Sequence, residues 1–149
     1  MKYLLIIAFL GLSTSTYAQD NDISLNWLTN VEEAQKISKK TNKPILLYFT
    51  GSDWCSPCKL LKKDFFDSDE FRKKSAEFVL VMIDYPRRTD IITPEQFAYN
   101  KSIVAKLNRS RTFPKLLILN HNGKAQDEIS GYSSLRDTSN HFAFLNRNI

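Results

Sequence analysis

Apolar and polar residues alternate along this chain with two different periods. Short apolar runs predict buried strands at residues 45–49, 78–84 and 116–119, and a fourth strand at 125–129 follows a turn at 120–123. Apolar residues at helical spacing predict helices over residues 30–40, around 60–66, 93–107 and 133–147, with a short helical segment at 71–74. The run at 78–84 is continuously apolar, which indicates a sheet covered on both faces. The predicted class is therefore α/β.

Residues at the predicted helix starts support these boundaries. Asn30 precedes the first helix, with Glu33 at the capping-box position. Thr93 precedes the third helix, with Pro94 at its first position. The last helix is expected to place Leu135 on its apolar face, together with Phe142 and Leu145.

The N-terminal residues have the pattern of an export signal. Lys2 is followed by an apolar run at 4–12 and a small polar stretch at 13–18, with Thr16 and Ala18 suited to a cleavage site. The alternative is a membrane anchor, but a span needs about 20 apolar residues. We therefore predict a signal peptide at 1–18, a mature domain at 19–149, export to the periplasm, and no stable membrane insertion after cleavage.

Composition limits the partners. The chain has 149 residues and a formal net charge of +5, enough for one domain with an adequate core. Its basic residues are dispersed, and no basic arm or aromatic–basic signature of nucleic-acid binding occurs. We expect solvated helix faces and loops, and no nucleic-acid partner.

The two cysteines of the chain form one motif. It lies between the strand at 45–49 and the following helix, and it reads Trp54-Cys55-Ser56-Pro57-Cys58-Lys59. Unpaired N–H groups and the dipole at a helix start stabilise a thiolate, and such cysteines have pKa values of about 3.5–7.5. Pro57 suits a first helical turn, and Cys58 is close enough to close a disulfide with Cys55. This predicts a reactive pair.

The chain resembles the thioredoxin superfamily. The motif at 54–59 is similar to the family's W-C-x-x-C-K active site, and Thr112-Phe113-Pro114 is similar to its cis-proline segment. Residues 43–55, followed by Phe65-Phe66-Asp67, look like exported bacterial thioredoxin-like proteins, related to the C-terminal domain of a membrane reductant transporter. The resemblance implies a thioredoxin fold, with a central mixed sheet of four to five strands and helices on both faces.

The resemblance also implies a mechanism and site residues. Cys55 would attack a substrate disulfide, and the less exposed Cys58 would release the product. Phe113 would hydrogen-bond a bound peptide through its backbone, beside a cis Pro114, and Trp54 would flank the binding surface. Ser56 and Pro57 would support the active site. Protein thiols and disulfides are the implied substrates, a membrane or exported protein the electron donor, and no cofactor or metal is implied.

One departure from the family concerns the group beneath the second cysteine. Thioredoxin has a buried aspartate there, on the strand before the motif, where this chain offers Tyr48 and Phe49. Asp53, Asp84 or a water molecule could take the place of this aspartate as the buried proton acceptor. Ser56 stands where the family usually has glycine, which leaves the redox potential open.

Several alternatives remain at this level. The chain could be a reductase or isomerase, which we favour, or an oxidant of folding proteins. It could also be a thioredoxin-like binding module or chaperone without redox turnover. A structural disulfide is less common at this spacing in so large a domain, and zinc would need two more ligands. His121 and His141 are not suitably spaced and are expected at the surface.

Overall fold

The computed structural model describes residues 24–149. The elements in chain order are α1 Val31–Thr41, β1 Ile45–Thr50, α2 Ser56–Leu61, α3 Asp69–Ser75, β2 Val79–Asp84, α4 Pro94–Leu107, β3 Lys115–Leu119, β4 Ala125–Ser130 and α5 Ser139–Asn146. A π-helical turn, Lys62–Phe66, continues α2. The predicted signal peptide lies outside the described residues. Within residues 24–149, no helix is long and apolar enough to cross a membrane.

The four strands form one mixed sheet in the order β2-β1-β3-β4. β1 is parallel to β2 and antiparallel to β3, and β3 is antiparallel to β4. The sequence-based expectation of a central mixed sheet is confirmed, with four strands in the part of the chain described.

Two apolar layers cover the faces of this sheet. All six residues of β1 are buried, and their side chains alternate between the layers. Leu46 and Tyr48 face a layer that includes Phe65, Phe71 and Phe144. Residues of β1 on the other face pack with the buried sides of α1 and α4 in a second layer, namely Val31, Ala34, Ile103 and Val104. The prediction of helices on both faces is therefore correct.

The helix starts follow the capping residues. The Asn30 side chain accepts the Glu33 N–H at 2.8 Å, and Thr93 accepts the Gln96 N–H at 3.2 Å. Ser68 caps α3 in the same way. Each side chain satisfies a backbone donor that the first helical turn leaves unpaired, so local sequence determines where these helices begin.

The start of the last helix was predicted wrongly. α5 begins at Ser139, and residues 133–138 form a turn in which Leu135 is 87% exposed. Arg136 adopts a left-handed backbone conformation with φ of 57°, which interrupts a right-handed helix. Its guanidinium binds Asp64 in the π-helical turn. A long-range ion pair thus overrides the local helical pattern.

His141 is also placed differently from the expectation. It was expected at the surface, but its side chain is 4% exposed and packs against Phe65 and Tyr132, each with ring centroids 5.5 Å away. Within residues 24–149 neither ring nitrogen has a hydrogen bond of normal geometry. Burial lowers the pKa of the imidazole, and the backbone of Gly131 only partly opposes this effect.

We predict that Leu47→Ala lowers the free energy of unfolding by about 2 to 5 kcal/mol, because it opens a cavity in a packed core. Leu47 is fully buried in β1, whereas Leu135→Ala, the matched control at an exposed site, should change it by less than about 0.5 kcal/mol. Urea denaturation of both variants measures the difference. Equal losses would contradict this assignment of core and surface.

We predict a pH dependence of stability that originates at His141. An unfolded imidazole binds a proton near pH 6.5, and its folded pKa is lower. Between these two values the unfolded chain binds more protons, so stability is fully present above about pH 6.5 and falls as the pH drops toward the folded pKa.

Chemical denaturation of wild type, His141→Leu and His121→Asn between pH 7.5 and 5 tests this. The slope of unfolding free energy against pH should become flatter in His141→Leu and stay unchanged in the exposed control His121→Asn. A wild-type slope in His141→Leu would assign the effect to other groups.

Candidate functional site

The two cysteines lie at the junction between β1 and α2. Cys55 is the N-cap of α2, and its Sγ accepts the backbone N–H of Cys58 at 3.3 Å. The two sulfurs form a disulfide with an S–S distance of 2.04 Å. Ser56 and Pro57 form the first turn of α2, in accordance with the sequence pattern. The motif therefore lies at a helix start and not within a helix.

Both cysteines are almost completely buried. Cys55 is 3% exposed and Cys58 is 1% exposed. Cys58 is the less accessible, as expected, although the margin is small. A partner that reacts with this pair must approach Cys55 closely, so the residues around it control access.

Trp54 is held by contacts on three sides. Its Nε1 donates to the carbonyl oxygen of Tyr85 at 2.8 Å, and its ring meets that of Phe113 edge-on at 5.4 Å. A Cβ at Gly51 would lie 2.4 Å from the Trp54 ring, so only glycine fits this close approach. Gly51 also accepts the Cys55 N–H at 2.8 Å, which links the indole position to the cysteine.

The segment 112–114 is anchored beside Trp54. Asn108 is fully buried, accepts the Thr112 N–H at 3.1 Å and donates to the Thr112 carbonyl at 2.8 Å. The Phe113–Pro114 peptide bond is cis, and the Pro114 carbonyl accepts the Gly131 N–H. Within residues 24–149, the backbone N–H and C=O of Phe113 form no hydrogen bond. The Phe113 backbone thus keeps free hydrogen-bonding groups next to the ring of Trp54.

The hydroxyl of Tyr48 is a polar group close to the backbone of Cys58. It donates to Thr50 Oγ1 at 3.1 Å and lies 3.4 Å from the Cys58 carbonyl oxygen. Burial raises the pKa of Tyr48 to about 12, with Asp84 acting in the same direction and the Thr50 hydrogen bond opposing it. This phenol is therefore neutral over the physiological pH range.

The two carboxylates considered as substitutes for the family's aspartate, Asp53 and Asp84, bind loop residues. Asp84, at the end of β2, accepts the N–H of Ser52 at 2.9 Å and its hydroxyl at 2.5 Å. Asp53 accepts the backbone N–H groups of Arg87 and Arg88. Desolvation acts to raise the pKa of Asp53, but these N–H groups outweigh it and keep the pKa low.

Sequence patterns did not reveal two residues near Trp54. The guanidinium of Arg87 lies 4.5 Å above the Trp54 ring, and the ring of Tyr85 stacks on that of Phe113. Both belong to a stretch that reads only as a loop, and their role depends on contacts across more than 25 positions, which local patterns do not encode.

No metal centre is evident in the described part of the chain. Residues 24–149 contain no group of three or more His, Cys, Asp or Glu side chains placed to bind a metal. His121 lies between β3 and β4, and His141 lies in the core.

Comparison with known proteins agrees with this architecture. Over 102 residues the chain is 30% identical to the disulfide bond reductase DsbH of Chlamydia pneumoniae, covering 68% of this chain and 60% of the relative. Over 92 residues it is 36% identical to the thioredoxin-related protein DsbJ of the same organism, covering 57% of this chain and 26% of the relative. The chain thus spans less than two thirds of the length of each relative.

A solved structure of a DsbH oxidoreductase matches with a TM-score of 0.67 and 28% identity, covering 83% of this chain and 85% of that one. The sequence profile of the thioredoxin-like domain family matches residues 31–145, nearly the whole described fold. The chain therefore belongs to the thioredoxin-like family.

Proposed function

We propose that this protein is a thiol–disulfide oxidoreductase that acts on protein disulfides through Cys55 and Cys58. The observation that carries the proposal is the N–H of Cys58 donated to Cys55 Sγ at the first turn of α2. The same N–H and the helix dipole stabilise a thiolate at Cys55 once the disulfide is reduced. The names of the relatives, a disulfide bond reductase and a thioredoxin-related protein, support the same chemistry.

In the first step the Cys55 thiolate attacks one sulfur of the substrate disulfide. A bond forms between Cys55 Sγ and that sulfur while the substrate S–S bond breaks. The displaced substrate thiolate takes a proton from solvent. The product is a mixed disulfide between Cys55 and the substrate.

In the second step the sulfur of Cys58 attacks Cys55 Sγ. The Cys55–Cys58 disulfide forms, the mixed disulfide breaks, and the released substrate thiolate takes the proton that Cys58 loses. Two electrons have then moved from the enzyme dithiol to the substrate. A dithiol on an exported or membrane protein must return them, and we propose such a protein as the electron donor.

We propose that Phe113 provides an edge along which an extended substrate segment binds. Its unpaired backbone N–H and C=O can pair with an extended substrate segment, as an added strand does. Pro114 would shape this edge, and the half-buried rings of Trp54 and Phe113 would flank the substrate. Ser56 and Pro57 would hold the turn that presents Cys55.

We further propose that the reaction runs mainly as a reduction or isomerisation, outside the cytoplasm. The pattern of the first 18 residues supports export. The reductase name of one relative supports the direction. An oxidant of folding proteins would use the same residues in reverse.

We predict that the protein accelerates insulin disulfide reduction in the presence of dithiothreitol and that Cys55→Ser abolishes this turnover.

We predict that Cys58→Ser accumulates a mixed disulfide with the substrate, because Cys55 can still attack the substrate disulfide but no second thiol releases the product. Mass spectrometry detects this adduct.

We predict that the alkylation rate of reduced Cys55, measured as a function of pH, gives a pKa below the free-cysteine value of about 8.5.

His121→Asn is the surface control and should keep wild-type turnover. Absence of insulin turnover in wild type would favour the binding module or chaperone.

The reduction potential of the Cys55–Cys58 pair distinguishes the two directions of the reaction. A value of about −270 mV indicates a reductant, and a value of about −120 mV indicates an oxidant.

A further inference from the structure

A cavity of about 200 Å³ lies between the end of β2 and the start of α4. We call it the 86–97 pocket. Pro86, Ile92, Pro94 and Phe97 supply apolar lining, and Arg87 and Arg88 also line it. A cavity of this size and composition holds about one apolar side chain, which is stabilised there because it leaves water.

The pocket is fixed relative to the disulfide by direct hydrogen bonds. The carboxylate of Asp53 accepts the Arg87 N–H at 3.1 Å and the Arg88 N–H at 2.9 Å. Trp54 donates to the carbonyl oxygen immediately before Pro86. Because Asp53 and Trp54 directly precede Cys55, the pocket and the reactive cysteine belong to one connected unit.

A row of aromatic rings connects the two places. Trp54 meets Phe113 at 5.4 Å, Phe113 stacks on Tyr85 at 6.1 Å, and Tyr85 stacks on Phe97 at 5.3 Å. Phe97 lines the pocket. Arg87, which also lines the pocket, lies 4.5 Å above the Trp54 ring, so the pocket begins beside the residue that precedes Cys55.

Arg87 supplies a charge beside the row. Its guanidinium stacks on Trp54, and no carboxylate within residues 24–149 pairs with it, whereas Arg88 is paired with Asp90. A guanidinium stacked on a ring keeps its in-plane N–H groups available, and those groups match a carboxylate.

We infer that the substrates are polypeptide disulfides with an apolar side chain close in sequence to the reacting cysteine and an acidic residue next to that side chain. The apolar side chain occupies the 86–97 pocket, and the acidic side chain pairs with Arg87. This inference rests on the proposed function and specifies its substrate class.

The test uses disulfide-linked peptides that carry Leu-Glu, Leu-Lys or Ser-Glu at two adjacent positions and are otherwise identical. In separate peptide sets the pair is placed at each position from one to five residues from the cysteine, and the set with the largest Leu-Glu preference is used for the variants. Bis(2-hydroxyethyl) disulfide, small and uncharged, is the reference substrate. For each enzyme variant, kcat/KM for every peptide is divided by that for the reference. Wild type should prefer Leu-Glu over Ser-Glu by about tenfold or more and over Leu-Lys by a few-fold.

Arg87→Gln should remove the Glu-over-Lys preference and keep the Leu-over-Ser preference. Ile92→Asn, which makes the pocket polar without adding a charge, should do the reverse. Arg109→Gln and Ile91→Asn, exposed residues that do not line the pocket, are the matched controls and should retain both preferences. Reduction of the reference with equal rates for all peptides overturns this inference and leaves the proposed function intact. Failure to reduce any disulfide overturns the proposed function itself.

Discussion

The complete burial of β1 is the constraint on which the site depends. All six of its residues pair with β2 on one side, Ile45 to Phe49 pair with β3 on the other, and both faces are covered. Because β2 runs parallel to β1 and β3 antiparallel, the end of β1, the end of β2 and the start of β3 meet at one edge: Thr50 is opposite Asp84, and Phe49 is opposite Lys115. The three segments that surround the disulfide leave the sheet at this edge, so strand direction alone brings them together.

Much of this arrangement could be predicted because it is encoded locally. The apolar run of β1, the caps at Asn30 and Thr93 and the spacing of the cysteines each depend on neighbouring residues. The exceptions depend on distant contacts. Arg136 leaves the helical pattern to bind Asp64, 72 positions away. His141 is buried by rings from two other segments, which no local pattern shows.

The Tyr48 hydroxyl, a neutral group, lies 3.4 Å from the carbonyl oxygen of Cys58. A buried carboxylate at this place would be costly when ionised, and it would oppose a second negative charge on a nearby sulfur. A phenol whose pKa is raised to about 12 remains neutral and can only donate or accept hydrogen bonds. The group placed to stabilise a thiolate at Cys55 is the Cys58 backbone N–H at the start of α2, which lies 3.3 Å from Cys55 Sγ.

The π-helical turn after the disulfide and the exposed loop at 87–91 differ in how tightly they are packed. Behind the disulfide, Phe65 and Phe66 of the π-helical turn are buried among aromatic rings, and Asp64 binds both Tyr132 and Arg136. Substitutions there disturb the core, where packing is dense and volume changes are costly. In front, residues 87–91 are exposed and are held mainly through their backbone by Asp53. Their side chains can therefore change with little cost to the fold, so substrate preference can be tuned separately from the cysteine chemistry.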